Sequence, residues 1–471
     1  MAKSPIIFGQ DRPGRAERRA QGKRLRDACP RAAHARATPV GGAKRDPVEL
    51  IEGSNKDRWQ HLVPVRHGRM MESAFAFFRG TALLQAYDLA QMPSSGVEVQ
   101  ACGDCHLMNF GGFATPERAL TFDINDFDET FPAPFEWDLK RLATSFVLAG
   151  RWRGFDPDDC RDAAEQVVLA YQKRMLKKAD ARTLDLWYDQ FNVEDAIEMA
   201  GGDEEGVARL TAASKRAQER TSAQVFEKLV VAKGDTPRLM DQPPLMYHLS
   251  DHRSEEEANG QIRSAMQSYR ATLSGDRQAL LDRWRLVDVA VKVVGVGSVG
   301  TRCFVGLFMA DDDDPLFLQF KEARPSVLEG LAGPPRYEHN GERIVVGQRL
   351  MQAASDIFLG WTVGGEGRDF YIRQLRDMKV ATRLETFKPR HLAFYAKLCG
   401  TALARAHAKA GDPAMIAGYI GKSDAFGDAL ADHAVHYANQ VERDYALFRR
   451  AVRDGRLASD TSETPVSSML R

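Results

Sequence analysis

Hydrophobic positions along the chain alternate between helical and strand periods. Between residues 73 and 90 the apolar side chains Phe75, Phe78, Ala82, Leu83, Ala86 and Leu89 recur at helical intervals, which predicts one helix. Pro93-Ser94-Ser95-Gly96 ends it, and residues 97–100 lead out as a strand. A hairpin follows. Its arms, 110–114 and 119–124, are aromatic and β-branched, and Thr115-Pro116-Glu117-Arg118 puts proline where its fixed φ suits a type I turn. Residues 136–285 return to the helical period, clearest at 137–152 and 157–179, with long charged runs at 203–233 and 254–284. The period then drops to two. Strands at 287–294 and 301–309 flank Gly295-Val296-Gly297-Ser298-Val299-Gly300, and a turn at 311–315 leads to a third strand, 316–320, that ends in Lys321. A helix at 340–354, strands at 357–363 and 369–375, and helices at 392–410 and 425–452 complete an α+β pattern.

Composition narrows the function classes. The chain has 471 residues, 44% of them hydrophobic, enough for more than one subdomain. Lys+Arg and Asp+Glu are equal at 65 each, so overall charge points to neither nucleic acid nor a membrane surface. No apolar run approaches the roughly 20 residues that cross a bilayer. Six scattered cysteines read as the reduced thiols of a cytoplasmic protein. Cys102-x-x-Cys105 has metal or redox spacing, but without a second pair or a His doublet zinc is not expected there. His248 and His252 read as polar surface residues, since no continuous helix joins them. The first fifty residues hold twelve Lys/Arg against five Asp/Glu, which makes residues 1–57 a basic arm, disordered or wrapped over the surface. Aromatic residues are nearly absent from it, so nucleic-acid binding is not expected. The tail, 457–471, reads as disordered. Arg66, Arg69 and Arg79 are candidates for binding phosphate, weighed against pairing with neighbours such as Glu72 or Asp88.

The chemistry concentrates in residues 102–129. Asp104, His106, Asn109, Asp123, Asp126 and Asp128 gather around the one hairpin. Pairing its arms brings Asn109 beside Asp126, with Asp104 on the loop just before, a set of hard oxygen ligands of the kind Mg²⁺ takes. A solvated acidic hairpin is the plainer alternative; the Asp104-to-Asn109 spacing and the following Asp126-Phe127-Asp128 together favour a site. The glycine loop is weak evidence alone. In a dinucleotide fold such glycines open a helix, whereas here they open a strand, and the Gly-Lys-Ser/Thr of a P-loop is missing.

Asp104-x-x-x-x-Asn109, a hairpin, then Asp126-Phe127-Asp128 resembles the catalytic and metal loops of protein-kinase-like phosphotransferases, above all the aminoglycoside and choline kinases. The resemblance implies that Asp104 is the base that deprotonates an acceptor hydroxyl and that Asn109 and Asp126, with Asp128 beside them, hold Mg²⁺. Gly295, Gly297, Ser298 and Gly300 would close backbone N–H groups over the phosphates of ATP, and Lys321 would reach them. Glu342 or Glu329 would pair with Lys321. Trp137-Asp138-Leu139 is similar to the helix start whose Asp buttresses the catalytic loop, and the adenine-reading hinge would lie near residues 374–378. The helix 392–410 looks like the one that runs directly into the catalytic loop of those enzymes, yet here it comes some three hundred residues later. The implied fold is therefore a circularly permuted, two-lobed kinase-like one, although residues 73–90 are an alternative source of that helix. Its parts would be a large lobe at 58–285, a small antiparallel β lobe at 286–380, and helices at 381–456 completing the large lobe. Across residues 46–455 the chain also resembles a bacterial family catalogued as domain of unknown function 2252, through GDCHLMNFG, FDINDFDET, EWDLKRLA, LQFKEA and ALARAHA among other words. Cys102 stands where the small-molecule kinases usually carry His, and Asp128 where they carry Glu or Gly, which bears on acceptor geometry more than on metal binding.

The expected activity is ATP- and Mg²⁺-dependent transfer of a γ-phosphate to an unidentified small-molecule or protein hydroxyl. A nucleotide-binding pseudokinase or scaffold, and transfer of AMP, would use the same residues. A metallophosphoesterase is suggested by Gly103-Asp104-x-His106 but lacks the further His ligands of a two-metal site. His106 has no assigned role.

Overall fold

A computed structural model describes residues 12–38, 45–201, 204–218, 222–233, 236–249, 255–311, 314–375 and 382–461. Helix α1 (Arg15–Ala28) falls inside the arm that the sequence marks as disordered or surface-wrapping. It docks on the helix Pro413–Ile420 through facing glycines: a Cβ at Gly22 would lie 2.0 Å from the Met415 carbonyl oxygen, and one at Gly418 2.1 Å from that of Arg19. Part of the arm's positive charge serves this contact, with Arg18 reaching Asp412 at 2.6 Å and Arg26 donating to the Tyr419 carbonyl at 2.8 Å. Asp46 caps α2 (Pro47–Asn55), and α3 (Val63–Met70) follows.

Residues 73–90, expected as one helix, form two. Ser73 caps α4 (Ala74–Arg79), and α5 (Ala82–Leu89) starts afresh. The break lies at Gly80-Thr81, where the Gly80 carbonyl accepts from Arg66 at 2.7 Å and Thr81 Oγ1 bonds back to Phe77 at 2.8 Å. Periodicity hid it because Phe78, Leu84 and Leu89 remain buried on both sides of the break.

Strands β1 (Glu98–Ala101), β2 (Phe110–Ala114), β3 (Leu120–Ile124) and β4 (Phe131–Pro134) form two antiparallel ribbons, β1 with β4 and β2 with β3. They frame the acidic loops. Helices α6 (Phe135–Trp152) and α7 (Pro157–Lys178) follow, each with acids in the first turn and bases in the last, which complements the helix dipole. The long helix Pro389–Ala410 lies along α7 so closely that a Cβ at Gly400 would meet the Val167 carbonyl at 2.2 Å. These helices, the two ribbons and the helix Ala425–Arg453 share one apolar core.

The runs 203–233 and 254–284 are shorter pieces than expected: helices Glu204–Gln218, Ser222–Leu229, Glu255–Ala271 and Gly275–Leu281, with β5 (Val230–Lys233) paired to β6 (Thr236–Leu239). The second half supplies β7 (Met246–Tyr247), β8 (Arg285–Lys292), β9 (Cys303–Met309), β10 (Pro315–Glu322), β11 (Gly360–Val363) and β12 (Asp369–Gln374). Together they make a six-stranded antiparallel sheet in the order β11-β12-β10-β9-β8-β7. Period-two burial explains it: the sheet carries an apolar cluster on each face, one around Leu307 and Phe317 and one around Phe308 and Leu318. The helix Asn340–Met351 connects β10 to β11. No helix among the described residues is long and apolar enough to cross a membrane.

Candidate functional site

The acidic loop is fixed from behind. Asp138, in the first turn of α6, accepts the backbone N–H groups of Cys102 at 2.8 Å and Gly103 at 3.0 Å, and His407 Nε2 lies 3.2 Å from the same carboxylate. Gly103 takes φ +82°, and a Cβ there would sit 2.2 Å from the Glu129 carbonyl oxygen, so the loops before β2 and after β3 touch backbone to backbone. The hairpin between them closes as expected, with Arg118 N–H donating to Thr115 at 2.9 Å and Phe110 opposite Ile124. Asn125 N–H then donates to the Asn109 carbonyl at 2.9 Å.

Asp104 is held by Arg141 Nε at 2.6 Å, and its own carbonyl accepts from Asn109 Nδ2 at 2.8 Å. Burial pushes the Asp104 carboxyl above the ordinary carboxylate range while Arg141 and Arg79 pull the other way. His106 Nε2 is 3.9 Å from Asp104, and burial, with Arg79 and Arg141 nearby, keeps the imidazole neutral. Sequence reading overlooked Arg141, although it follows Asp138 by three residues and so shares its helix face.

Lys321 comes to the same place from β10, where it sits between Cys303 and Tyr371 in register. Its Nζ donates to Asp128 Oδ2 at 2.6 Å, and the Tyr371 hydroxyl donates to Oδ1 at 2.5 Å. This corrects the expected partners, Glu342 or Glu329, neither of which pairs with Lys321 among the described residues. Glu342 stands in the first turn of the Asn340–Met351 helix, where its charge acts on Tyr337, and Lys321 takes its carboxylate from the acidic loop instead. The following residue, Arg343, ties that helix to the loop by donating to the carbonyls of Thr130 at 2.5 Å and Asp128 at 3.0 Å.

The two loop carboxylates differ. Lys321 and Tyr371 hold Asp128 below the ordinary range, whereas burial and the nearby Asp128 charge raise Asp126. Asp126 Oδ1 accepts the Asp128 N–H at 3.2 Å. With Asp128 engaged by Lys321 and Tyr371, the oxygens best suited to a hard cation are those of Asp126 and the Asn109 side chain, whose nitrogen is already committed to Asp104. Asp123 is not part of this set: wholly buried, it pairs with Arg405 Nη2 at 2.7 and 2.8 Å. Ligand atoms of Cys102, Cys105 and Asp138 lie within 4.8 Å of one another. Burial raises both thiols, that of Cys105 to about 11, and Asp138 is committed to backbone, so these are protonated core cysteines.

The glycine loop crosses above the acids, with Gly295 at φ +65° and Gly300 at +86°. Arg69 Nη1 donates to the Gly295 carbonyl and Arg58 Nη1 to that of Val299, both at 2.6 Å, while Trp59 N–H donates to Gly300 at 2.7 Å. Two cavities meet beneath it. One, of about 580 Å³, is lined by Lys321, Arg373, Gln374, Leu375, Trp284 and Phe358. The other, of about 310 Å³, is lined by Asp104, His106, Asn109, Asp128 and a group of arginines. Asp126, Gly295 and Ser298 line both. The expected hinge begins at Gln374 and Leu375 on the larger cavity; its remainder lies outside the described residues.

Among known proteins, residues 58–451 match a family model described as an uncharacterized protein conserved in bacteria, DUF2252. No curated protein and no solved structure matches the chain.

Proposed function

The chain belongs to the DUF2252 family, and from that premise we propose that it is an ATP- and Mg²⁺-dependent phosphotransferase with a circularly permuted kinase-like fold. The contact between Lys321 and Asp128 carries the reading, because it joins the lysine strand to the acidic loop across one cleft. The strand order supports it: the glycine loop joins β8 to β9, and the lysine lies on β10, third of the three in sequence. So does the end of the Pro389–Ala410 helix. A Cβ at Gly411 would lie 2.6 Å from Val99 Cγ1, so the helix finishes against the strand that leads into Asp104.

In this reading the adenine side of the nucleotide occupies the larger cavity, against Leu375, and its phosphates run under Gly295 and Ser298 toward Lys321. The acceptor hydroxyl enters the smaller cavity and faces Asp104. Asp104 takes the hydroxyl proton as the acceptor oxygen bonds to the γ-phosphorus and the bond to the β-phosphate oxygen breaks, releasing ADP. Asn109 and Asp126 would hold Mg²⁺, which would supply charge neutralisation. Lys321 binds phosphate oxygens, and Arg141 fixes the base. The test is thermal unfolding of the full chain with ATP and Mg²⁺, together with transfer of labelled γ-phosphate to sugars, aminoglycosides and proteins. ATP with Mg²⁺ raises Tm and Asp126→Ala removes the rise; a wild-type chain unmoved by every nucleotide sinks the reading.

A further inference from the structure

The smaller cavity carries a feature that phosphotransfer itself does not require. Arg58, Arg66, Arg79 and Arg324 all line it, together with Asp104 and His106. Buried guanidinium groups ordinarily sit against carboxylates, because an uncompensated buried charge costs several kcal/mol. Here, among the described residues, none of Arg58, Arg66 and Arg79 closes an ion pair, although Glu129 and Glu322 act on Arg58 through space and Asp104 and Glu72 on Arg79. Arg66 is 2% exposed, and it donates only to the Asn55 side chain at 2.7 Å and the Gly80 carbonyl at 2.7 Å, leaving a buried Nε without a partner. Arg58 donates to the carbonyls of Ser54 and Val299. Arg79 forms no hydrogen bond or ion pair with a described residue, and its guanidinium lies 5.8 Å from the Phe75 ring centre. Arg324 has Asp57 at 3.8 Å, on a largely exposed side chain. The cations also oppose one another: burial lowers the pKa of Arg58, Arg66 and Arg79, and neighbouring arginines lower the first two further.

Position says which reactant this wall serves. Asp104 lines the arginine cavity and not the larger one, Lys321 lines the larger one and not this, and Asp126 stands between. The bonds from Arg58, Trp59 and Arg69 to the glycine loop close the cavity on the side of the small sheet. About 310 Å³ behind such a clasp suits a molecule of sugar size rather than a protein segment. Planar guanidinium groups converging on one volume match a phosphate, with its several acceptor oxygens. We infer that the acceptor is a small phosphomonoester bearing a free hydroxyl, its phosphate bound by Arg66, Arg79 and Arg324 and its hydroxyl turned to Asp104. The inference rests on the phosphotransferase reading for the word acceptor, while the anion site stands on its own geometry.

The test is isothermal titration of the full chain with inorganic phosphate, with and without saturating ATP and Mg²⁺, followed by ADP release with glycerol 3-phosphate and hexose phosphates against the unphosphorylated alcohols. Phosphate binds in both conditions, and the phosphorylated compounds stimulate ADP release where their parents do not. Arg79→Gln, which breaks no hydrogen bond among the described residues, weakens phosphate by roughly tenfold and leaves ATP affinity unchanged. Arg324→Gln, at the more open end, does the same and serves if the first variant fails to fold. Displacement of phosphate by ATP would assign the arginines to the nucleotide and overturn the inference, as would absence of phosphate binding or two folded variants that bind it like wild type. If phosphate binds but no nucleotide does, the phosphotransferase reading fails and the arginine site survives.

Discussion

Lys321 and Asp128 stand 193 positions apart in the chain and 2.6 Å apart in space. The pair bonds β10 to the acidic loop, and Tyr371 donates to the other carboxylate oxygen. Asp128 is held below the ordinary carboxylate range chiefly by Lys321, so its contribution to stability is present above that range and is lost as pH falls through the depressed value. Lys321→Met removes that acid-side loss. It also costs about 2–3 kcal/mol, less than a fully buried pair because the Asp128 side chain stays 27% exposed. Urea unfolding at several pH values measures both effects. Phosphate transfer, where Lys321 would bind the phosphates, falls on the order of a hundredfold or more.

Asp104 works in the opposite sense. Burial raises its carboxyl, so if Asp104 is the base of a phosphotransferase its ionised form is reached only at a pH above the ordinary carboxylate value, and the acid limb of the transfer rate is expected there. Arg141 opposes this shift through its 2.6 Å contact. Arg141→Gln therefore moves the acid limb to higher pH, and a pH–rate profile with an unmoved limb would remove Asp104 from the role of base. Asp104→Asn keeps the rise in Tm with ATP and Mg²⁺ and loses transfer by roughly 10²–10⁴-fold.

How much of this was legible follows from which forces are local. Hairpin, glycine loop and the strand ending in Lys321 were readable because period-two burial and turn residues act within a few positions. The Asp138 buttress was readable through a motif, and its bonds to Cys102 and Gly103 N–H match what the resemblance implied. The partner of Lys321 was not. Choosing Asp128 over Glu342 depends on how the helix Asn340–Met351 packs, and Arg343 draws that helix onto the backbone of the acidic loop. The α1 contact was equally hidden: a basic, Ala- and Gly-rich segment reads as disordered until the carbonyls of a helix some 390 residues away are known to receive its arginines. Gly80-Thr81 passed as helix because its break is completed by Arg66.

Gly103 separates folding from function. Its φ of +82° and the 2.2 Å approach of a Cβ to the Glu129 carbonyl leave no room for a side chain beside Asp104. Gly103→Ala costs at least about 1–2 kcal/mol for the left-handed backbone alone. Relief of the clash is expected to displace Asp104 relative to Asp126, so under the phosphotransferase proposal transfer falls further than the change in Tm accounts for. Comparing transfer with urea stability in the same variant checks this, and activity that merely tracks the folded fraction would contradict it.

The pairing of Asp123 with Arg405 ties the back of the hairpin to the late helix Pro389–Ala410. Both side chains are at most 1% exposed, Arg405 also donates to the Met351 carbonyl at 2.6 Å, and Asp123 accepts the Ala353 N–H at 2.9 Å. One ion pair thus joins β3, the end of the Asn340–Met351 helix and the helix that finishes beside β1. Removing one partner strands a charge among fully buried side chains. Arg405→Met therefore destabilises by about 3–5 kcal/mol. Asp123→Asn in the same chain recovers part of that loss, since the stranded charge is gone while the amide still accepts from backbone. Denaturant midpoints of the two single variants and the double variant give the coupling. Additive losses would mean that the pair is incidental, and that the late helix is held against the hairpin by apolar packing alone.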